Sequence, residues 1–166
     1  MTSPTDSHPE LPALGFLAEL SAEDRSFLGC YGKYHRPQEG DTLITEGQAQ
    51  DSLYVILSGK LHIVTSAGND RPMLLASLGS GDSMGEINLF DPGSASASAV
   101  VRNAGAVWSL SREELDSCLA ADPVVGNSIL RALLAQMARR IRTMNDKLAT
   151  AEKKSSLHDF WGANQP

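Results

Sequence analysis

The chain has few of the residues from which enzyme centres are usually built. Its four histidines, His8, His35, His62 and His158, form no HxH pair, so the sequence lacks the histidine ligand set of a metal-binding β-barrel. It contains no GxSxG motif, no Walker-type glycine loop and no pair of carboxylates with catalytic spacing. These absences predict a protein that is not an enzyme and that holds no metal or cofactor.

Cysteine and positive charge are also scarce. Cys30 and Cys118 lie far apart without CxxC spacing, and their apolar surroundings predict two buried free thiols in a reducing cytoplasm. The 20 acidic residues outnumber the 14 lysines and arginines, which gives a net charge of -6. We therefore expect no general attraction to nucleic acid or to acidic membranes.

The amino-terminal stretch 1–12 lacks the features of a targeting segment. It has neither a basic start nor an apolar run, which a signal peptide or a membrane anchor would need. We predict that 1–12 is a disordered tail and that the protein is cytoplasmic, with no membrane partner.

The pattern of short apolar runs indicates a small β domain. A chain of 166 residues with 42% apolar content buries one core of ordinary size. Between Tyr34 and Leu110 the runs 53–57, 61–64, 73–78 and 107–110 are separated by clusters of glycine and polar turn residues. Gly59 and Gly68 accept the positive φ that tight hairpins require. This spacing predicts an antiparallel roll or barrel.

Three glycine-containing motifs occur in a familiar order. They read GDTLITEG at 40–47, LYVILSGK at 53–60 and GDSMGE at 81–86. With this order the chain from Leu14 to Leu148 resembles the cyclic-nucleotide-binding domain family, in particular its Crp-Fnr-like sensor domains. The resemblance implies a mainly β fold with flanking helices. The β part of this fold, at 13–121, would be an antiparallel β-roll, which is a double-stranded β-helix of jelly-roll type. N-terminal helices and a long C-terminal dimerisation helix would flank it.

The segment Ser83–Ala99, called the cassette below, is similar to the phosphate-binding cassette of that family. There a Gly-Glu pair opens a helical turn whose backbone N–H groups face the cyclic phosphate, and the Glu holds the ribose 2′-hydroxyl. An arginine about nine residues later neutralises the phosphate, and this position is Ala95. The resemblance implies a ligand of the cAMP or cGMP type in contact with Gly85, Glu86, Ile87, Asn88, Ser94, Ala95, Ser96, Ala97 and Ser98. Because the serines supply hydroxyls but no charge, we expect weak, altered or lost binding.

The segment 122–154 is a candidate long helix. Asp122 before Pro123 gives an N-cap signal, and no glycine follows Gly126 until Gly162. A series of apolar residues follows at alternating steps of four and three residues, which is the heptad spacing of a seam between two parallel helices. The series is Leu130, Leu134, Met137, Ile141, Met144 and Leu148. We predict a homodimer through this seam. A second apolar stripe, Ile129 and Leu133, is left to pack on the chain's own roll. The alternative to a dimer is a helix that packs only on its own domain.

This helix also resembles the dimerisation helix of the catabolite activator family. In related proteins it closes over the nucleotide base, so the resemblance implies that Met144 and Asn145 take the base-contacting positions, with the polar Asn145 facing the base edge. It also offers Arg140 or Arg142 as a substitute cation. A DNA-reading helix-turn-helix would follow there, but residues 155–166 are too few for two helices and their core. We expect a C-terminal tail at 155–166, with Leu157, Phe160 and Trp161 docked on the dimer or on a partner, and no direct DNA binding.

Two functions remain open at this point. The first is a stand-alone regulatory module that has weak, altered or lost nucleotide binding and acts through a protein partner. The second is a genuine cAMP or cGMP sensor that uses Arg140 or Arg142 in place of the missing arginine.

Overall fold

The amino-terminal end of the described chain is already part of the core. The computed structural model describes residues 10–66 and 71–162, with side chains up to Glu152. Leu11 is fully buried, and its carbonyl oxygen accepts a hydrogen bond from Arg25 Nε at 3.0 Å. The predicted tail 1–12 therefore ends too late, because Leu11 gains more from burial than from solvation. Residues 1–9 lie outside the described residues.

Two short helices precede the sheet, as predicted. A 3-10 helix spans Gly15–Glu19, and α1 spans Ala22–Gly29. Ser21 caps α1, since its hydroxyl oxygen accepts a hydrogen bond from Asp24 N at 3.0 Å. Such a cap satisfies one of the N–H groups that the first turn leaves without a helical partner.

Within the described residues, eight strands pair in antiparallel fashion. Their bounds are β1 Lys33–His35, β2 Thr42–Ile44, β3 Ala49–Gln50, β4 Ser52–Thr65, β5 Met73–Leu78, β6 Ser83–Met84, β7 Gly93–Ser94 and β8 Ser98–Ser111. The long strands β4 and β8 pair from Ser52↔Ser111 to Val64↔Ser98. In the same sheet β1 and β2 pair with β8, whereas β5 and β6 pair with β4; β3 and β7 form a separate two-stranded sheet.

Gly59 has a different role from the predicted one. The apolar runs 53–57 and 61–64 belong to one strand, β4, and Gly59 lies inside it with φ +92°. The pairing of β4 with β8 is irregular between Ile56 and Leu61. A Cβ at Gly59 would lie 2.7 Å from the Asn103 carbonyl oxygen. Glycine therefore permits a bulge within a long strand here instead of a hairpin. Gly68 lies outside the described residues.

Three more helices complete the fold: α2 Glu86–Phe90, α3 Arg112–Ala121 and α4 Pro123–Gly162. The predicted start of α4 is confirmed, because Asp122 Oδ1 accepts hydrogen bonds from the N–H groups of Val124 and Val125 at 2.9 and 3.1 Å. Among the described helices, none combines the length and the apolar composition that crossing a membrane requires.

The long helix ends later than predicted, and the boundary between the two compact units of the chain lies inside it. It continues to Gly162, so most of the predicted tail 155–166 is helical backbone, and no helix-breaking residue occurs between Gly126 and Gly162 to stop it earlier. The chain forms two compact units, 1–132 and 133–166, rather than dividing at 121. The first turns of α4 belong to the first unit because Ile129 and Ala132 are buried.

The two cysteines have different environments. Cys118 on α3 is fully buried, and burial raises the pKa of its thiol to about 11. Cys30 is exposed, so the prediction of two buried thiols is wrong for this residue. Cys30 directly follows the last residue of α1. Its one described hydrogen bond runs from Sγ to the Ser26 carbonyl oxygen, at 3.3 Å.

A thiol reagent should therefore distinguish the two residues. In the folded protein at pH 8 we expect Ellman's reagent to modify Cys30 rapidly and Cys118 only after unfolding in urea, because the thiolate is the reactive form and Cys118 is both protonated and inaccessible. Cys30→Ser should remove the rapid phase. Rapid modification that persists in this variant would contradict the described burial of Cys118.

Candidate ligand-binding site

The turn that opens the cassette requires glycine. Gly85 has φ +85° and lies directly before α2, in the left-handed region that residues with a side chain rarely adopt. A Cβ at this position would collide with the carbonyl oxygen of Ser52 on β4. The Gly85 carbonyl oxygen accepts a hydrogen bond from Leu89 N at 3.0 Å. The glycine therefore lets α2 begin in close contact with the sheet.

Glu86 is the buried carboxylate of the site. It is the first residue of α2, and only 6% of its surface is exposed. Ser83, which is also buried, donates a hydrogen bond from Oγ to Glu86 Oε1 at 3.5 Å. Burying a carboxylate is costly unless hydrogen bonds satisfy it, and the contact with Ser83 is one such bond.

The two residues after Glu86 lie on the outer side of α2. Ile87 is 68% exposed, whereas Asn88 is half-buried and donates a hydrogen bond from Nδ2 to the Gly93 carbonyl oxygen at 3.3 Å. Their N–H groups belong to the first helical turn, where no preceding helical carbonyl can accept from them. The Asn88 contact fixes α2 against β7.

Ala95, the residue to which the resemblance assigns the arginine position, is buried. Its exposure is 6%. Both polar groups of its backbone are engaged, because Ala95 N donates to the Gln48 carbonyl oxygen and Gly47 N donates to the Ala95 carbonyl oxygen, each at 2.8 Å. The pairs Ala49↔Ser94 and Gln50↔Gly93 extend this contact into β3 and β7. Main-chain hydrogen bonds thus hold the backbone on both sides of Ala95.

The remaining cassette residues supply small and neutral side chains. Ser94 and Ser96 are exposed, and Ala97 and Ser98 are half-buried. The Ser98 hydroxyl oxygen accepts a hydrogen bond from Glu46 N at 2.9 Å. These serines offer hydroxyl groups to a ligand but no positive charge.

Charges of one sign occur in the two segments that β3 and β7 bring together. Segments 42–52 and 83–99 contain Glu46, Asp51, Glu86 and Asp91 and no lysine, arginine or histidine. Hydrogen bonds from Ser66 N and Thr65 Oγ1, at 2.8 and 2.7 Å, lower the pKa of Glu46. Glu46 is therefore ionised at neutral pH, and these two segments carry net negative charge.

The acidic side chains that the structure describes are not clustered. Among the side chains that the structure describes, no three from histidine, cysteine, aspartate and glutamate lie close enough to hold an ion. Glu46 directs its two carboxylate oxygens to Thr65 and Ser66.

The predicted contacts from the long helix lie in the second unit. Arg140 is half-buried, whereas Arg142, Met144 and Asn145 are exposed. The structure describes this unit by itself, so the base contact of Asn145 and the phosphate contact of Arg140 or Arg142 stay predictions.

Sequence reasoning missed Gln48, Gln50 and Ser52, which hold the cassette in place. Gln50 donates a hydrogen bond from Nε2 to the Ser52 carbonyl oxygen at 3.0 Å, and this Nε2 would lie 3.4 Å from a Cβ at Gly85. No motif marks 48–52, because these residues act mainly through backbone groups that every residue type offers.

Known proteins match both the sequence and the fold. A family model described as "Cyclic nucleotide-binding domain" matches residues 35–122, which include the whole cassette. The CRP-like cAMP-activated global transcriptional regulator of Mycobacterium tuberculosis is 38% identical over 110 residues, which cover 66% of this chain and 47% of that protein. The match therefore spans about half the length of this curated relative.

Two solved structures have a similar architecture. A cyclic nucleotide-binding domain from Methylobacillus flagellatus KT aligns with a TM-score of 0.73 at 30% identity, covering 80% of this chain and 74% of that one. The Thermus thermophilus Catabolite Activator Protein aligns with a TM-score of 0.70 at 28% identity, covering 82% and 62%. These matches confirm the predicted antiparallel β-roll with flanking helices.

The geometry at Gly85 makes a testable prediction. Gly85→Ala should lower the free energy of unfolding by at least about 1 kcal/mol, because a left-handed backbone costs other residues roughly 1–2 kcal/mol and the new Cβ must displace Ser52. Urea denaturation measures this change. Gly93→Ala is the matched control, since its φ is not positive and its Cβ would meet nothing closer than Asn88 Nδ2 at 3.8 Å. Equal stability of the two variants would contradict the described turn.

Proposed function

The chain belongs to the cyclic nucleotide-binding domain family, and we propose that it is a regulatory, signal-sensing module whose cassette binds cyclic nucleotides weakly, binds an altered ligand or has lost binding. The observation that carries the proposal is the combination of a retained Gly85–Glu86 turn with a buried alanine at position 95. In this proposal the cassette keeps the turn at Gly85 and Glu86, and position 95 supplies no positive charge to a cyclic phosphate.

The expected loss of affinity follows from the strength of one charged contact. A hydrogen bond to a charged group contributes about 1.5–3 kcal/mol, and an arginine grips a phosphate with two such bonds. At about 1.4 kcal/mol per tenfold change, the loss of the arginine weakens phosphate binding by roughly tenfold to more than a hundredfold. Neutral serines leave the desolvated phosphate without a counter-charge.

We propose that the module transmits its signal to a protein partner and performs no catalysis. Glu86, the buried acidic residue of the site, accepts a hydrogen bond from Ser83. Its described hydrogen-bond partners include no second carboxylate with which it could form an acid–base pair. The net charge of -6 disfavours long-range attraction to DNA. A surface contact with another protein is the output that these features support.

The alternative is a genuine cAMP or cGMP sensor that uses a substitute cation. Arg140 and Arg142 on α4 are its candidates. The relative from M. tuberculosis is described as cAMP-activated, which supports this alternative.

We further propose that the chain forms a parallel homodimer through the heptad seam. Of the seam residues, Leu134, Ile141, Met144 and Leu148 are 62%, 57%, 62% and 62% exposed. By contrast, Ile129 and Leu133 of the second stripe are buried, and Leu130 and Met137 of the seam are half-buried. The alternative of a helix packed only on its own domain therefore leaves the four exposed seam residues uncovered. An apolar stripe of this length is costly in water, and the same seam of a second copy covers it with knobs-into-holes packing.

Charge along the helix favours the parallel arrangement. With Leu134, Ile141 and Leu148 at heptad position a, Lys147 lies at g and Glu152 at the following e, and both are exposed. In a parallel pair these positions face each other across the seam and attract.

A single charge in the seam should separate the dimer. We expect Ile141→Asp to give monomers in analytical ultracentrifugation at micromolar concentration, because two buried carboxylates would face each other at an a position. Thr143→Asp adds the same charge at the outward c position and should remain dimeric. A monomeric wild type would show that the seam interpretation is wrong.

Restoring the arginine should restore phosphate binding. We expect Ala95→Arg to strengthen cAMP or cGMP binding by roughly tenfold or more in isothermal titration calorimetry, whereas Ala97→Arg, which adds the same charge two residues away, should have a smaller effect. Circular dichroism checks that both variants fold.

Two outcomes would contradict the leading proposal or narrow it. Low-micromolar binding of cAMP by the wild type would favour the substitute cation, which Arg140→Ala and Arg142→Ala then identify. Binding by neither the wild type nor Ala95→Arg would mean that the cassette has lost more than its arginine, and only the lost-binding form of the proposal would remain.

A further inference from the structure

We propose that the outer side of α2 is a docking surface for an apolar segment of a protein partner that carries a carboxylate. The surface consists of the side chains of Ile87 and Phe90 on α2 and of the guanidinium of Arg112, and it is called the α2–Arg112 surface below. The inference rests on the proposed function, since it names the surface and the partner chemistry for the proposed output to a protein.

The apolar part of this surface comes from α2. Ile87 is 68% exposed and Phe90 is 39% exposed. The two residues are three positions apart, so their side chains lie on the same side of the helix. Leu89, which lies between them in the sequence, is buried in the core. The helix therefore packs one side on the protein and presents two large apolar side chains together to solvent, where a partner can cover them.

Arg112 places a fixed positive charge beside this apolar pair. It is the first residue of α3 and directly follows Ser111, which forms a capping box with Glu114. Its backbone N donates a hydrogen bond to the Asp51 carbonyl oxygen at 3.1 Å, and its Nη1 donates to the Phe90 carbonyl oxygen at 3.0 Å. Because both ends of this side chain are held, a partner that binds it loses little side-chain entropy.

The guanidinium of Arg112 can bind a further group. It has several N–H donors, and the Phe90 carbonyl oxygen accepts from Nη1 alone. Within the described residues, no carboxylate forms an ion pair with Arg112, whereas the exposed Arg102 is paired with Glu39 at 3.6 Å. A carboxylate of a partner would supply a counter-charge to Arg112 and could accept two parallel hydrogen bonds from it.

The surrounding charges favour a protein segment over a polyanion. Asp91 directly follows Phe90, Glu113 directly follows Arg112, and both are exposed on a chain with a net charge of -6. Such carboxylates repel nucleic acid and anionic membranes, whereas a single carboxylate among apolar side chains can reach Arg112 alone. Arginine and aromatic residues are also enriched in protein–protein interfaces, which matches Arg112 and Phe90.

Selection from a random library of short peptides displayed on phage, with the immobilised full chain as the target, tests the inference. We expect the enriched peptides to carry aspartate or glutamate next to a large apolar residue, or one helical turn from it, more often than the unselected library does. Fluorescence anisotropy with synthetic copies of these peptides then measures their affinity. Arg112→Gln and Ile87→Ser should each weaken binding by roughly tenfold.

Two variants elsewhere on the surface give the matched comparison. Arg102→Gln removes an exposed arginine that is already paired with Glu39, and Leu74→Ser removes a leucine that is 54% exposed on β5. Both should bind the selected peptides like the wild type. Circular dichroism checks that all four variants fold, and Ile87→Ser changes a side chain that lies mostly in solvent.

The outcomes separate this inference from the proposed function. Selected peptides whose binding is unchanged by Arg112→Gln or by Ile87→Ser overturn the inference and leave a protein partner at another surface. The absence of any enriched peptide also overturns it. Sedimentation of the chain with phosphatidylglycerol vesicles, if Arg112→Gln abolishes it, would overturn it in favour of a membrane surface. None of these results decides nucleotide binding by the cassette, which calorimetry with Ala95→Arg tests separately.

Discussion

The antiparallel pairing of β4 with β8 is the constraint on which the site depends. β6, at the start of the cassette, pairs with β4 at Tyr54 and Val55, and the end of the cassette enters β8 at Ser98. Both ends of the cassette are therefore fixed in one sheet. Ser52, the first residue of β4, lies against Gly85, so the contact that shapes the turn comes from the same strand.

This arrangement separates the shape of the site from its charge. The turn at Gly85 and the bonds between Ala95 and residues 47 and 48 are backbone features, and they persist whichever side chain occupies position 95, provided that it fits. The charge that selects a ligand comes from side chains alone. In the function that we propose, the family fold thus keeps the Gly85–Glu86 turn while the affinity for phosphate changes.

The sequence predicted the roll, the cassette and the start of α4 because glycine motifs, turn clusters and an N-cap are local signals. It did not predict the bulge at Gly59, since a glycine that permits positive φ suits a bulge within a strand as well as a hairpin. The pairing of β3 with β7 and the exposure of Cys30 depend on tertiary contacts that leave no local pattern. The ligand-binding roles of the cassette residues and of the residues on α4 stay predictions.

The central claim, which we propose, is that the cassette binds a cyclic phosphate weakly because the buried Ala95 offers it no positive charge. The salt dependence of cAMP binding, followed by nuclear magnetic resonance titration of the wild type so that weak binding is measurable, tests this claim most directly. Salt screens repulsion as well as attraction, so the account predicts that the affinity for cAMP rises, or stays constant, as salt concentration increases. An affinity that falls with added salt would show that a positive group grips the phosphate and would contradict the account.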